Sequence, residues 1–395
     1  MDIEENIRHG DQLVYECCWK HWGPSRDREM IRTLHPVGHG AFYTERFYGE
    51  NSKPVFCTVY DCGEKKQKAI NACIENAFDK GDQIDLLFIS HLHNDHINGV
   101  TTLLNHCDVK RIVLPALEPS RVIEAILYNY IQVSDFSSPS LTLIEQLLRG
   151  EIKSAQLTEV VASSEEQSDI IVVSADNIGR KIQSGAAITF GENIWRYIPI
   201  NIDNTKSSTI IEVLESAVSN TIKILTKDGK VDFEKVKELV EYLSLKKVKN
   251  LYKKMYGKHN SYSMPVFSLS PMCLASKCTR FCHKVESTPL SCRENCLYMG
   301  DFEAKTKFNE FKTAYQAMGV DYSKIGILQV PHHGSKNNLN SELYKTGKLC
   351  IISAGEKDLY NHPDICVLSA IQQERSVPII VTENEKSQQR FSLNY

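Results

Sequence analysis

The stretch Ile84-Asp85-Leu86-Leu87-Phe88-Ile89-Ser90-His91-Leu92-His93-Asn94-Asp95-His96 decides how this chain is read. Its first half is an almost continuous apolar run, which predicts a strand buried on both faces. The run delivers His91 at its C-terminal end, where α/β sheets gather ligands and catalytic groups. Three histidines and one aspartate follow within six positions. Imidazoles two residues apart at a strand end, His91 and His93, can converge on one cation. Asp95 and His96, in the following turn, can serve a second cation beside it. This mixture of imidazole and carboxylate suits a borderline ion such as zinc, and manganese or iron can also be accommodated.

Outward from this stretch, strand and helix signals alternate. Residues 33–43 lead into Pro54-Val55-Phe56-Cys57-Thr58-Val59-Tyr60-Asp61-Cys62-Gly63, and residues 30–63 predict two strands separated by a loop. A helix is expected from about Lys66 to Lys80, with Ile70, Cys73, Ile74 and Ala77 on one face. A helix and a strand at Arg111–Leu114 follow the histidines. Residues 119–150 and 156–182 read as largely helical, short strands are expected at 187–190 and 195–198, and two helices near 208–226 and 232–257. The remainder reads as strand 263–269, strand 297–301, helix 302–318, strand 325–330, helix 338–347, strand 350–353, helix 363–375 and strand 377–381. Such alternation in both halves implies a layered α/β sandwich. One domain over 1–395 is expected, with a helical insertion at 119–257 and a cysteine-rich loop at 270–297.

Composition excludes little else. A formal charge of −3 gives no global signature for nucleic acid or membrane, so a polyanionic substrate needs local basic patches. No apolar run reaches the ~18 residues of a membrane span. Met1-Asp2-Ile3-Glu4-Glu5-Asn6 is acidic and polar, unlike a secretory signal, and a cytoplasmic location is expected by default. Thirteen cysteines in such a compartment are expected as reduced thiols.

The run His91-Leu92-His93-Asn94-Asp95-His96 resembles the His-x-His-x-Asp-His signature of the metallo-β-lactamase superfamily. Asp61-Cys62-Gly63 is similar to that superfamily's strand ending in Asp-x-Gly. Gly300-Asp301 is similar to its strand-end aspartate, which bridges two metals. Within the superfamily, Val330-Pro331-His332-His333-Gly334-Ser335, Ser353-Ala354-Gly355, Tyr360-Asn361-His362-Pro363 and Val37-Gly38-His39-Gly40 resemble motifs of the ComEC-like hydrolase domain of competence DNA uptake. His39 stands where that group has glutamine.

The resemblance implies the αββα sandwich, with two zinc ions (or manganese) as cofactors. It implies metal ligation by His91, His93, Asp95, His96 and Asp301, with His362 as the last ligand by its order along the chain. It also implies catalysis by a metal-activated hydroxide in which Asp95, His332 and His333 take part. His332 and His333 are open as ligand or as the acid that protonates the leaving group, as in the similar ribonuclease Z. A separate histidine normally precedes the bridging aspartate. No histidine occurs from residue 107 to 258, and His259 is the first candidate, either ligand or incidental.

Two further clusters remain open. Cys273, Cys278, Cys282, His283, Cys292 and Cys296 can hold a structural zinc or stand as packed thiols, and no Cys-x-x-Cys occurs among them. Lys246, Lys247, Lys249, Lys253, Lys254 and Lys258, interleaved with Tyr252 and Tyr256, read first as a solvated helix end and second as a phosphodiester-binding face. The function expected is metal-dependent hydrolysis, most of all of a phosphodiester such as nucleic acid. The alternatives are a small ester, lactone or phosphoester hydrolase, or a non-catalytic binding protein on the same fold.

Overall fold

The computed structural model describes residues 29–50, 53–152, 154–162, 171–191, 194–202, 225–227, 229–256, 263–270, 284–285, 288–289, 293–356 and 361–394. Two eight-stranded sheets pack face to face. The first runs, edge to edge, through Lys181–Gln183, Gln156–Val161, Arg111–Pro115, Leu86–Phe88, Pro54–Glu64, Gly40–Tyr48, Glu29–Leu34 and Gln389–Asn394. The second runs through Val377–Val381, Leu349–Ser353, Ile327–Gln329, Cys296–Tyr298, Val266–Leu269, Trp195–Pro199, Ala187–Phe190 and Val172–Ser174.

Alternation along the strands builds the layers, because successive side chains point to opposite faces. Tyr43, Tyr60 and Phe88 face inward and pack with Trp195, Tyr197 and Tyr298 of the opposite sheet. Their neighbours Phe42, Val59 and Leu87 face outward and pack with Ile70, Ile74, Leu103, Val122 and Ile126 of the covering helices. On the far side Phe267, Leu297 and Leu328 pack under Phe308, Phe311, Val367 and Ile371. The layers are helix, sheet, sheet, helix: a mixed α/β sandwich of the metallo-β-lactamase kind, as the sequence leads one to expect.

One polar cluster ties the two inner faces together. The buried Glu45 carboxylate accepts from Arg32 Nε at 2.7 Å, Tyr197 OH at 2.6 Å, Tyr298 OH at 2.8 Å and Ser268 Oγ at 2.8 Å. Arg32 also donates to the carbonyls of Arg293 at 3.1 Å and Glu294 at 2.9 Å. A buried charge with this many partners specifies how the sheets register.

Several expectations need correction. Residues 30–63 form three strands, not two, because Pro36 and Gly38 break the run into Glu29–Leu34 and Gly40–Tyr48 before Pro54–Glu64. Among the described residues of 156–182 there is no α-helix: Gln156–Val161, Val172–Ser174 and Lys181–Gln183 are strands joined to the large sheets, with one 3-10 turn at Ala175–Asn177. In the first of them Thr158 and Val160 are buried on alternate positions with more exposed neighbours between, a period of two and not 3.6. Among the described residues of 119–257, the α-helices are Pro119–Val133, Pro139–Arg149, Phe233–Tyr242 and Leu245–Tyr256. The helix expected near 208–226 falls almost wholly outside the described residues, and 232–257 splits in two at Leu243-Ser244. In place of a helix at 338–347 there are short 3-10 turns, where the side chain of Asn340 accepts from Glu342 N at 3.1 Å. The last strand, Gln389–Asn394, was not expected; it pairs with Glu29–Leu34 across nearly the whole chain and buries the alternate Phe391 and Leu393.

Candidate metal centre

The histidine run sits between the strand Leu86–Phe88 and the short helix Asn94–Ile97. Asp301 follows Cys296–Tyr298, and His332 and His333 follow Ile327–Gln329. All three strands pair in parallel with a neighbour, so their C-terminal ends gather on one edge of the sandwich.

Asp61 and Gly63 dock the run. Asp61 takes a left-handed backbone, φ 54°, a strained conformation typical of working sites. Its carboxylate accepts from Ser90 N and Ser90 Oγ, both at 2.7 Å, and lies 2.8 Å from His96 Nδ1. Burial raises its pKa, and the His96 ring only partly offsets this. A Cβ on Gly63 would stand 2.5 Å from the carbonyl carbon of Asp95, so the residue must be glycine for the run to lie so close. Gly300, at φ 52°, plays the same part beneath Asp301, since a Cβ there would meet Ser90 Oγ at 2.6 Å.

Each of four imidazoles is tied on its outer nitrogen. His96 Nδ1 faces Asp61, His333 Nδ1 lies 2.9 Å from the carbonyl of Ser353, and His93 Nε2 lies 3.0 and 3.1 Å from the Glu124 oxygens. Carboxylates and carbonyls only accept, so these outer nitrogens carry the protons. Ser90 Oγ gives its proton to Asp61, and so accepts from His91 Nδ1 at 2.9 Å. Every ring is thereby left with its lone pair on the other nitrogen.

Those of His91, His96 and His333 face carboxylates. His96 Nε2 is 3.2 Å from Asp301 Oδ1, and His91 Nε2 is 3.8 Å from Asp301 Oδ2. His333 Nε2 is 3.7 Å from Asp95 Oδ2 and 3.8 Å from Asp301 Oδ1. Among the described residues, His91 Nε2, His96 Nε2, His333 Nε2, Asp95 Oδ1 and Asp301 Oδ1 are buried without a hydrogen-bond partner. Lone pair against lone pair, in a buried place, is unfavourable unless a cation or a proton stands between. The electrostatics point the same way. Burial would strip the His96 ring of its proton, but Asp301 and Asp61 on either side raise its pKa well above the ordinary value. Burial would raise Asp95 and Asp301, yet the histidines around them hold both carboxyls low. The donor set fits divalent metal on this ground.

The described residues form three groups whose donor atoms lie within 4.8 Å of one another: His91, His93 and Asp301; His96, Asp301 and His333; and His39, Asp95 and His333. Asp301 belongs to two of them. His39 was only a departure from a motif in the sequence; its ring stands 4.0 Å from that of His333. His332 lies at the mouth with 23% of its side chain exposed, its Nδ1 3.8 Å from Asp301 Oδ2, and burial lowers its pKa despite the nearby carboxylate. His332 and His333 have φ of 50° and 55°. His362 lies outside the three groups, its ring 6.0 Å from His39 and 6.3 Å from His332. His259 lies outside the described residues, as do Cys273, Cys278, Cys282, His283 and Cys292, while Cys296 is a buried free thiol. No helix among the described residues is long and apolar enough to cross a membrane.

Glu124, Ser90 and Ser263 escaped the sequence reading. Ser263 Oγ lies 3.0 Å from His91 Nδ1 and accepts from Asp301 N at 2.8 Å. A signal existed for Glu124, a lone acid amid the buried Val122, Ile123, Ala125 and Ile126 of its helix.

Comparison with known proteins finds one matching segment. Residues 56–123, which hold the strand ending at Asp61 and the whole histidine run, match the family model described as the metallo-beta-lactamase superfamily. No curated protein matches the chain. Among solved structures, that of unliganded yeast PDE1 is similar, with a TM-score of 0.40 and 10% identity over 93% of this chain and 100% of that one. A likeness that loose carries no argument about function.

Proposed function

We propose that this protein is a metal-dependent hydrolase acting on phosphodiesters. The observation that carries the metal-dependent reading is the convergence of inward-facing imidazole lone pairs on Asp95 and Asp301. In this reading His91, His93 and Asp301 hold one divalent ion, and Asp95, His96, Asp301 and His333 a second, with zinc or manganese as the metal. Such a pair, when bound, activates water as nucleophile and neutralises charge developing on the substrate oxygens. His333 is assigned as ligand because its Nδ1 is spent on Ser353, which turns Nε2 inward. His332 is assigned as the general acid because it alone of the two meets solvent, and an imidazole there can hand a proton to a leaving oxygen. Asp61, Glu124 and Ser90 orient the rings without touching substrate.

Support for a phosphodiester comes from the exposed Lys246, Lys247, Lys249 and Lys253 on the helix Leu245–Tyr256. That helix packs on Pro119–Val133, which carries Glu124 of the centre. The test is metal analysis of protein purified without chelator, followed by turnover of bis(p-nitrophenyl) phosphate, DNA and RNA with zinc or manganese. About two equivalents of metal, falling toward one in Asp301→Ala, with metal-dependent cleavage, is the expected result. A wild type that retains no first-row metal after reconstitution overturns the reading. Cleavage of esters or lactones alone transfers it to the small-molecule class.

A further inference from the structure

We infer that Glu124 and Tyr252 are positioning residues that brace the metal-facing ring of His93, making the lysine-rich helix a working part of the centre. This inference rests on the metal-dependent reading above.

Three contacts form the brace. Tyr252 OH donates to Glu124 Oε1 at 2.5 Å. Both oxygens of Glu124 face His93 Nε2, at 3.1 and 3.0 Å. The ring of Tyr128 stacks on that of His93, with centroids 3.7 Å apart and planes 14° apart. Glu124 and His93 are buried, and the contact between them spans 31 residues; that between Tyr252 and Glu124 spans 128.

The geometry dictates the chemistry. A carboxylate that already accepts from a phenol offers only acceptor lone pairs to His93, so Nε2 carries the proton. The lone pair then resides on Nδ1, and His93 contributes a ring nitrogen to the group with His91 and Asp301. A carboxylate behind a ligating imidazole sets its tautomer and ring orientation and raises its basicity. Tyr252 in turn keeps the carboxylate in place. On its helix Val248 and Leu251 are buried on the face that carries Tyr252, whereas Lys246, Lys247, Lys249 and Lys253 are exposed. The docked helix thus holds its cations to solvent while its tyrosine reaches the centre.

The experiment uses the full chain as wild type, Tyr252→Phe, Glu124→Gln, Glu124→Ala and the double variant Glu124→Ala/Tyr252→Phe. Zinc affinity is measured by competition with a chromogenic chelator. The His93 tautomer is read by histidine 15N NMR in metal-free protein. The expected result is a loss of zinc affinity of about 10- to 100-fold in Glu124→Gln and a smaller loss in Tyr252→Phe. The tyrosine change should add nothing in the Glu124→Ala background, because it acts through the carboxylate. His93 should carry its proton on Nε2 in the wild type and lose that preference in Glu124→Ala.

Equal tyrosine effects in both backgrounds, or a His93 protonated on Nδ1 in the wild type, overturn the brace. So does a Tyr252→Phe variant that loses thermal stability with unchanged zinc affinity, which marks mere packing. The two readings fail separately. A wild type with the Nε2–H tautomer that binds no zinc keeps the brace and loses the metal, and zinc binding indifferent to Glu124 does the reverse.

Discussion

Replacing Asp61 by asparagine should weaken metal binding with little change of shape. Asp61 Oδ1 accepts from the backbone of Ser90 at 2.7 Å, and Oδ2 faces Ser90 Oγ at 2.7 Å and His96 Nδ1 at 2.8 Å. An amide has one accepting oxygen. If it serves the Ser90 backbone, the NH2 group confronts His96 Nδ1–H. If it is flipped, the NH2 group confronts a backbone N–H that cannot rotate away. The cheaper relief is for His96 to move its proton to Nε2, which faces Asp301 Oδ1 at 3.2 Å and is the nitrogen a metal needs. Losing one hydrogen bond to a charged group costs about 1.5–3 kcal/mol. At 1.36 kcal/mol per decade that is about 10- to 100-fold in affinity, the range expected when an outer partner of a metal ligand is removed. The assay is zinc or cobalt affinity by chelator competition for wild type and Asp61→Asn, with a melt in excess chelator to monitor the metal-free fold. An Asp61→Asn affinity within twofold of wild type, on an intact fold, would refute the claim that this carboxylate sets the His96 tautomer.

Other perturbations reach the frame and the site separately. Glu45→Ala leaves the Arg32 guanidinium buried without its carboxylate, and should cost about 3–5 kcal/mol in urea unfolding; a loss below 1 kcal/mol would mean the cluster is not a tie between the sheets. His35 is buried against Phe42, with Nε2 3.0 Å from Thr44 Oγ1, and burial, assisted by Arg46, lowers its pKa to about 3. The unfolded chain takes up a proton below about pH 6.5 that the folded chain refuses, so stability falls as pH drops from there toward 3. At pH 4 the loss reaches about 3 kcal/mol, and His35→Gln should flatten that part of the pH–stability curve measured by urea midpoints. Gly300→Ala places a Cβ 2.6 Å from Ser90 Oγ at a positive φ, and should displace Asp301 and cut metal content, read by mass spectrometry.

The sequence by itself determined what is contiguous or periodic. The buried strand Leu86–Phe88 and the donors His91, His93, Asp95 and His96 are neighbours along the chain, so their convergence follows from local backbone geometry. Asp301 and the pair His332-His333 were legible through their resemblance to superfamily motifs that stand just after strands. Helical periodicity found Gln67–Ala77 and Ala304–Ala317.

What the sequence did not determine depends on partners far along the chain. Gln156–Val161 and Lys181–Gln183 are strands because a sheet edge is there to receive them, and weak local propensity yields to that pairing. Tyr252 meets Glu124 only when two helices separated by more than a hundred residues pack together. Tertiary structure also sets His332 and His333 in different surroundings, which no spacing can distinguish. One turns its outer nitrogen to Ser353 and the other opens to solvent, and adjacent residues in a left-handed turn point different ways only once the surrounding strands define inside and outside.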